Sequence, residues 1–71
     1  MMNFRENLRT LRKERHVSQE VLAEYLGVSQ RLVSHYENGK CEPCLDYLCR
    51  LAEYFDVSLD TLVGYKKSED E

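Results

Sequence analysis

The most constraining feature of this 71-residue chain is a pair of short helical segments separated by a turn of about three residues. Ser18 and Ser29 each precede a run of apolar residues at helical spacing, and a serine in that place caps a helix by accepting a hydrogen bond from a free backbone N–H. Gly27 ends the first segment, where a left-handed residue costs glycine little. The sequence therefore predicts helices over residues 18–26 and 29–37 that pack as neighbours across a tight turn.

The rest of the chain also has apolar residues at helical spacing. We predict helices over residues 4–15 and 45–55, and a short fifth helix that begins at Ser58 and is closed by Gly64. No segment alternates apolar and polar residues with the period of a β-strand. The predicted fold class is therefore all-α, a compact five-helix bundle in which short connections place successive helices side by side.

The length of the chain limits it to one domain. We expect residues 1–65 to form that domain, with a helix-turn-helix core at 18–37, and residues 66–71 to form a polar, frayed tail. The chain is too short for the barrels and doubly wound sheets of many enzymes. It has neither a glycine-rich phosphate loop nor a G-x-S-x-G motif, so we expect it not to be an enzyme.

The apolar faces of the five segments predict the core. Ala23 is small enough to let the next helix cross close by, and Val28 and Val33 should pin both helices onto a common core. The other residues assigned to apolar faces are Phe4, Leu8, Leu11, Val21, Leu22, Tyr25, Leu26, Leu32, Tyr36, Leu45, Leu48, Cys49, Leu51, Ala52, Phe55, Leu59, Leu62 and Val63.

Charge is unevenly distributed along the chain. The formal net charge is -3, but residues 1–40 carry seven bases and five acids, whereas residues 41–71 carry three bases and eight acids. The acidic total argues against a non-specific nucleic-acid coat protein, while the basic half can meet an anion. Because the sequence shows no signal peptide and no apolar run long enough for a bilayer, we expect a cytoplasmic protein with reduced cysteines and no membrane partner.

The third predicted helix separates its polar residues completely from its apolar ones. In a helical projection the polar arc contains Gln30, Ser34, Arg31 and His35. These are not generic solubilising side chains, because glutamine suits the hydrogen-bonding edge of adenine and arginine suits that of guanine. Two interpretations are open at this point: an ordinary solvated face, or a helix that reads bases in the major groove of B-DNA.

Groups near the ends of these two helices are suited to phosphate binding. The free N–H groups and the dipole at a helix N-terminus favour an anion. Gln19 can add a side-chain hydrogen bond at the start of the second helix, and Asn38 and Lys40 follow the third helix. Contacts of this kind position a protein on DNA without reading its sequence.

Taken together, these residues resemble the lambda-repressor-like, Cro-type (XRE) helix-turn-helix family of bacterial and phage regulators. The resemblance extends from Leu8 to Val63. The residues that carry it are Leu8-Arg9-x-Leu11-Arg12, Ser18-Gln19-x-x-Leu22-Ala23, Leu26-Gly27-Val28-Ser29, Val33-Ser34-x-Tyr36-Glu37-Asn38-Gly39-Lys40, Pro43, Leu48, Leu51-Ala52 and Val57-Ser58-Leu59-Asp60-x-Leu62.

The resemblance implies a role for each residue of the motif. Gln19 would hydrogen-bond a phosphate and brace the start of the third helix. Arg12 and Glu37 would form a buried ion pair between the first and third helices, a contact that orients more than it stabilises. The residues implied to read bases are Gln30, Arg31 and His35, and those implied to lie at the DNA backbone are Gln19, Ser29, Ser34, Asn38 and Lys40.

Three residues depart from the family pattern. Val21 stands where many members have a glutamate that completes a capping box with Ser18. Cys44 stands where serine or threonine often caps the fourth helix, and Tyr36 replaces the commoner isoleucine or leucine. None of the three lies on the predicted DNA-binding face, so the implied function is unaffected.

The cysteines raise a competing hypothesis. Cys41 and Cys44, with His35 and Cys49, invite a zinc or thiol-sensing site, but their spacing is not that of an established closed zinc site. The odd number of cysteines also argues against a closed set of disulfides. We expect Cys49 to lie in the core, and we predict neither a metal nor a cofactor.

The predicted function is a sequence-specific, double-stranded-DNA-binding transcriptional regulator, a repressor that inserts helix 29–37 into the major groove. It would be associated with the nucleoid through this binding. Because one such module contacts little DNA surface, we expect a homodimer on a palindromic operator. Resemblance to short family members places the dimer interface on the fourth and fifth helices, with Leu59, Leu62 and Tyr65 as its central residues.

Two alternatives accompany this prediction. The chain could instead be a protein-interaction or antitoxin-type module that uses the same bundle, and an antirepressor or partner regulator could bind it. The tyrosines outside the predicted core could contact the second copy or pack along helix edges. These tyrosines are Tyr25, Tyr47, Tyr54 and Tyr65.

Overall fold

The computed structural model describes residues 3–65, which contain five α-helices and no β-strand. Helix α1 spans Phe4–Glu14, α2 spans Gln19–Leu26, α3 spans Gln30–Glu37, α4 spans Leu45–Phe55 and α5 spans Leu59–Val63. The prediction of an all-α, five-helix fold is confirmed. The predicted tail, residues 66–71, lies outside the described residues. Within residues 3–65, no helix is both long enough and apolar enough to span a membrane.

Three serines set the starts of α2, α3 and α5. The Oγ atoms of Ser18, Ser29 and Ser58 accept hydrogen bonds of 3.0–3.1 Å from the backbone N–H groups three residues further on. Each bond satisfies an N–H group that has no partner inside its helix. At the start of α4 the side chain of Cys44 makes no such bond, so this departure from the family pattern leaves α4 without a side-chain cap.

The core lies between the five helices and is apolar. Its buried apolar residues come from every helix, and α3 packs against both α1 and α2 while α5 packs against α1 and α4. The predicted positions of Val33 and Tyr36 on the buried side of α3 are confirmed. The buried apolar residues are Leu8, Leu22, Ala23, Leu26, Val33, Tyr36, Leu51, Ala52, Phe55 and Leu62.

Hydrogen bonds join the first helix to the last. The backbone N–H of Asn3 donates to the carbonyl of Val63 at 3.0 Å, and Asn7 Nδ2 donates to the carbonyl of Leu62 at 3.2 Å. The last carbonyl groups of a helix have no partner inside it, so these bonds satisfy α5 at its C-terminal end. They hold α5 against α1.

Helices α2 and α4 are joined by a reciprocal contact. Tyr25 Oη donates to the backbone carbonyl of Arg50 at 3.1 Å, and Arg50 Nη2 donates to the backbone carbonyl of Tyr25 at 3.0 Å. The Arg50 guanidinium also lies 5.3 Å from the centre of the Tyr25 ring and 5.7 Å from that of Tyr47. The ring centres of Tyr54 and Tyr25 lie 4.7 Å apart with the rings tilted by 48°, so these tyrosines pack along helix edges within one chain.

The assignment of three residues to buried apolar faces is wrong. Val21 is 49% exposed and Leu45 is 67% exposed, and Cys49 is also exposed. On α4 the buried stripe ends at Ala52, and Cys49 lies about 60° beyond it around the helix. A bundle of five short helices covers only the centre of each apolar stripe, so residues at its edges face solvent.

Candidate nucleic-acid interface

The turn between α2 and α3 is tight because three backbone features coincide. Gly27 adopts φ of 76°, in the left-handed region, and its N–H donates to the carbonyl of Ala23 at 2.8 Å. The N–H of Val28 donates to the same carbonyl at 3.0 Å. Ala23 is 4% exposed, which shows how closely its neighbours approach it. The two helices are thus held in a fixed relation, as the sequence predicted.

The residues of α3 divide between solvent and core only in part as the projection predicted. Gln30 and Arg31 are exposed, and Ser34 and His35 are half-buried. Because Val33 and Tyr36 on the opposite side are buried, α3 cannot rotate without exposing them. The orientation of the polar arc is therefore fixed by the core.

Gln19 lies at the start of α2 and connects two residues of α3. Its Oε1 accepts a hydrogen bond of 3.4 Å from Gln30 Nε2, and its Nε2 donates to Glu37 Oε1 at 3.1 Å. The first bond braces the start of α3, as the resemblance implied. The second bond was not predicted, since the sequence does not indicate that one side chain reaches both ends of the neighbouring helix.

Glu37, the last residue of α3, is the most buried charged residue in the described part of the chain. Its side chain is 2% exposed, and Arg12 neutralises it with two hydrogen bonds, Nε to Oε2 at 2.7 Å and Nη2 to Oε1 at 3.0 Å. The implied ion pair between α1 and α3 is therefore present. Burial alone raises the pKa of Glu37, but the hydrogen bonds from Arg12 and Gln19 outweigh it and hold that pKa below its usual range. The carboxylate stays charged and accepts hydrogen bonds from side chains of α1 and α2.

The C-terminal end of α3 carries polar groups of its own. Asn38 is the C-cap residue, and its Nδ2 donates to Ser34 Oγ at 3.2 Å. The backbone N–H of Lys40 donates to the carbonyl of His35 at 2.9 Å, which continues the turn beyond the helix. Asn38 and Lys40 are exposed. Their side chains can reach an anion beside this end of α3.

Arg9 is a residue of this surface that the sequence reasoning missed. Its Nη2 donates to the carbonyl of Glu37 at 3.4 Å and to Asn38 Oδ1 at 3.5 Å, and its Nε lies 3.7 Å from Glu37 Oε1. The signal was available: Arg9 precedes Arg12 by three residues, and residues at this spacing share a helix face. Arg9 therefore faces the same part of α3 as Arg12.

The residues assigned to a dimer interface differ in accessibility. Leu62 has no accessible surface and belongs to the core of the single chain, so its assignment to an interface is wrong. Leu59 is half-buried against the core, and Tyr65 is 53% exposed. Helical spacing alone could not distinguish which α5 residue faces inward, because the helix is only five residues long.

The cysteines do not form a site in the part of the chain that the structure describes. Cys41 is half-buried, whereas Cys44 and Cys49 are exposed, and all three are free thiols. Residues 3–65 contain no group of three or more histidine, cysteine or carboxylate side chains that could hold a metal ion. The expected core position of Cys49 is wrong for the reason given above for α4.

Comparison with known proteins places this geometry in a family. A model of the helix-turn-helix family matches residues 8–62. The HTH-type transcriptional activator BcrR of Enterococcus faecalis is 39% identical over 63 residues, which are 89% of this chain and 31% of that protein. The crystal structure of a transcriptional regulator from Listeria innocua matches with 41% identity and a TM-score of 0.92, covering 96% of this chain and 64% of the other.

A solved complex is also similar. The P22 c2 repressor in complex with a synthetic operator matches with 28% identity and a TM-score of 0.80, covering 89% of this chain and 96% of the repressor chain. This chain spans less than two thirds of the Enterococcus and Listeria proteins. Since the family model covers well over half of its residues, the chain belongs to the XRE-type helix-turn-helix family.

Proposed function

We propose that this protein is a sequence-specific regulator of transcription that binds double-stranded DNA by inserting α3 into the major groove. The observation that carries the proposal is the polar arc of α3. Gln30 and Arg31 are exposed, the core fixes the orientation of their helix, and Gln19 braces Gln30 at 3.4 Å. Such a rigid helix with base-reading side chains matches what recognition in the major groove requires.

Each residue of the arc has a role within this proposal. Gln30 reads adenine, because its amide matches the donor and acceptor on the adenine edge, and Arg31 reads guanine with two donors. His35 is half-buried beside them and contacts an adjacent base edge. The side chains proposed to hold the DNA backbone are Gln19, Ser29, Ser34, Asn38 and Lys40.

We propose further that the protein binds a palindromic operator as a homodimer and represses transcription by occupying that operator. One module of this kind covers only about 600–1,000 Å² on DNA, which is little for tight and specific binding. Leu59, half-buried at the start of α5, and Tyr65, 53% exposed just beyond its end, offer accessible apolar surface on this part of the chain. Similarity to a phage repressor supports this mode of action.

Selection of a preferred duplex from a random-sequence pool, followed by fluorescence anisotropy, tests the proposal. We expect wild-type protein to prefer the selected duplex over a scrambled one, and Arg31→Ala and Gln30→Ala to lose that preference. Lys13→Ala is the matched control, since Lys13 is exposed and lies on α1 rather than α3. Variants of Gln30 and Arg31 that keep the wild-type preference would overturn the assignment of the recognition helix.

Two further measurements separate the remaining parts of the proposal. Sedimentation with and without the selected duplex reports the oligomeric state, and a monomer under both conditions would overturn the dimer. A reporter gene with the selected duplex in its promoter shows whether the protein activates or represses, and we expect reporter expression to fall when the protein is present.

In the anisotropy experiment, absence of binding to any duplex would favour the alternative of a protein-interaction module.

A further inference from the structure

Three arginines on α1 face the C-terminal end of α3. Arg5, Arg9 and Arg12 are spaced at i, i+4 and i+7, so they lie on one side of the helix. Each nitrogen of the Arg12 guanidinium donates one hydrogen bond, two to the Glu37 carboxylate and one to the carbonyl of Val17. The other two arginines have no part in the contacts proposed above.

Arg9 is held in place but keeps donors for an external acceptor. Its side chain is 46% exposed, and its Nε lies 3.7 Å from Glu37 Oε1, outside hydrogen-bond distance. Its Nη2 makes only long bonds, at 3.4 Å to the carbonyl of Glu37 and at 3.5 Å to Asn38 Oδ1. Because Arg12 already neutralises Glu37, the positive charge of Arg9 is in excess.

Arg5 lies beside Arg9 and has a different support. Its guanidinium rests on Gly39, so closely that a Cβ at Gly39 would collide with Arg5 Nη1. Arg5 is exposed, and the ion pairs found between residues 3 and 65 do not include it. The loop that follows α3 therefore orients this second guanidinium without neutralising it.

The two arginines line one concavity of about 270 Å³ at the protein surface, together with Glu6, Glu37 and Asn38. The Glu6 carboxylate accepts a hydrogen bond of 2.9 Å from Asn3 Nδ2. Since Glu37 is neutralised by Arg12, Glu6 is the one carboxylate of this concavity that opposes two guanidinium groups. The concavity is thus net positive and can hold an anion.

The concavity adjoins the polar arc of α3 at the C-terminal end of that helix. Asn38 lies on its wall and donates to Ser34, which belongs to the arc. A helix of eight residues is about 12 Å long, close to the width of the major groove of B-DNA. Groups at the two ends of α3 can therefore each reach the DNA backbone on one side of the groove.

We propose that Arg5 and Arg9 form a phosphodiester-binding site that holds the DNA backbone beside the C-terminal end of α3. The inference rests on the proposed DNA-binding function and adds to it two residues of α1 and the concavity they share with Asn38. Guanidinium suits this ligand because its fork of donors binds two phosphate oxygens together. The site positions the protein and adds affinity, and it does not read sequence.

Salt-dependent binding by single-charge variants tests the proposal. Arg5→Ala, Arg9→Ala and Lys13→Ala in the 71-residue protein each remove one positive charge from α1, and Lys13 lies outside the concavity. Fluorescence anisotropy is measured with the duplex that wild-type protein selects and with a scrambled duplex. We expect each arginine variant to bind both duplexes roughly tenfold more weakly and to lower the slope of log K against log salt by about one. Lys13→Ala should keep the wild-type slope.

Two results would overturn the proposal: unchanged slopes in both arginine variants, or an equal loss of slope in Lys13→Ala. If Arg9→Ala lowers the thermal midpoint of unfolding, its weaker binding does not distinguish a lost phosphate contact from a destabilised fold. The salt slope of Arg5→Ala then decides between the two, because Arg5 has no contact with Glu37 in the described hydrogen bonds and ion pairs. Wild-type protein that binds no duplex would refute the DNA-binding function itself. Wild-type binding with unchanged arginine variants would refute the second site alone.

Discussion

Arg12 and Glu37 form a two-bond ion pair, at 2.7 and 3.0 Å, that joins α1 to the last turn of α3. Gln19 adds a third hydrogen bond to the same carboxylate at 3.1 Å and extends the contact to the start of α2. One buried carboxylate thus connects the three helices that build the proposed DNA-binding surface. Its loss should change both the stability and the orientation of α3.

Removal of Arg12 should be costly because it leaves the buried Glu37 carboxylate without its main partner. We expect Arg12→Ala to lower the free energy of unfolding by about 3 kcal/mol. This is the lower end of the cost of breaking a buried ion pair, because Gln19 and Arg9 still contact the Glu37 carboxylate. Arg9→Ala is the matched control. Its side chain is 46% exposed, so we expect a loss of at most about 1 kcal/mol. Urea unfolding followed by circular dichroism measures both, and equal losses would show that Arg12 is not the principal partner.

The pH dependence of stability should report the charge of Glu37. Its pKa in the folded protein lies below the ordinary value of 4.5, so the folded state favours the ionised form. This contribution is complete above the ordinary value and disappears as the pH falls through the lowered folded pKa. We expect the stability advantage of wild type over Glu37→Gln to be constant above about pH 5.5 and to shrink in more acidic solution. Urea unfolding at a series of pH values measures this difference.

The exposed carboxylate of Glu20 provides the control for that series. Glu20→Gln also removes one negative charge, but from outside the cluster around Glu37. We expect Glu20→Gln to keep the loss of stability in acid that Glu37 causes, because the hydrogen bonds to Glu37 are unchanged. A difference between wild type and Glu37→Gln that stays constant down to acidic pH would contradict the lowered pKa of Glu37.

Local signals predicted the fold and the buried side of α3. The serine caps and Gly27 act through hydrogen bonds within four residues, so they are readable from the chain itself. Other features depend on where distant elements meet. Residues of α1 and α2 meet at Glu37 on α3. The spacing of Arg9 and Arg12 indicates that they share a face of α1, but no spacing in the sequence indicates that Gln19 reaches the same carboxylate. The errors at Leu45 and Cys49 have the same origin, because the neighbouring helices decide how much of an apolar stripe is covered.

Two leucines should differ strongly in their effect on stability. Leu62 has no accessible surface, so Leu62→Ala creates a cavity and should cost about 2–5 kcal/mol. Leu45 is 67% exposed, and Leu45→Ala should change the free energy of unfolding by no more than about 0.5 kcal/mol. Chemical unfolding at two protein concentrations measures both. A large and concentration-dependent cost for Leu45→Ala would mean that a second copy covers this residue in solution.

Two glycines with the same backbone conformation should separate stability from DNA binding. Gly27 and Gly39 both adopt φ of 76°, so an alanine at either position should cost about 1 kcal/mol of unfolding free energy. Nothing lies within 4 Å of a Cβ at Gly27, whereas a Cβ at Gly39 meets the flexible end of Arg5, with its Cδ at 3.2 Å. Arg5 can swing away, so we expect similar losses of stability for Gly27→Ala and Gly39→Ala.

Displacement of Arg5 should nevertheless be visible in DNA binding. In the Gly39→Ala protein the guanidinium can no longer rest on the loop after α3. We therefore expect Gly39→Ala, but not Gly27→Ala, to show the reduced salt slope expected for Arg5→Ala. The double variant Gly39→Ala with Arg5→Ala should then bind no more weakly than Gly39→Ala alone, because the same contact is already lost. Additive losses in the double variant would show that Gly39 contributes to binding by a route other than the placement of Arg5.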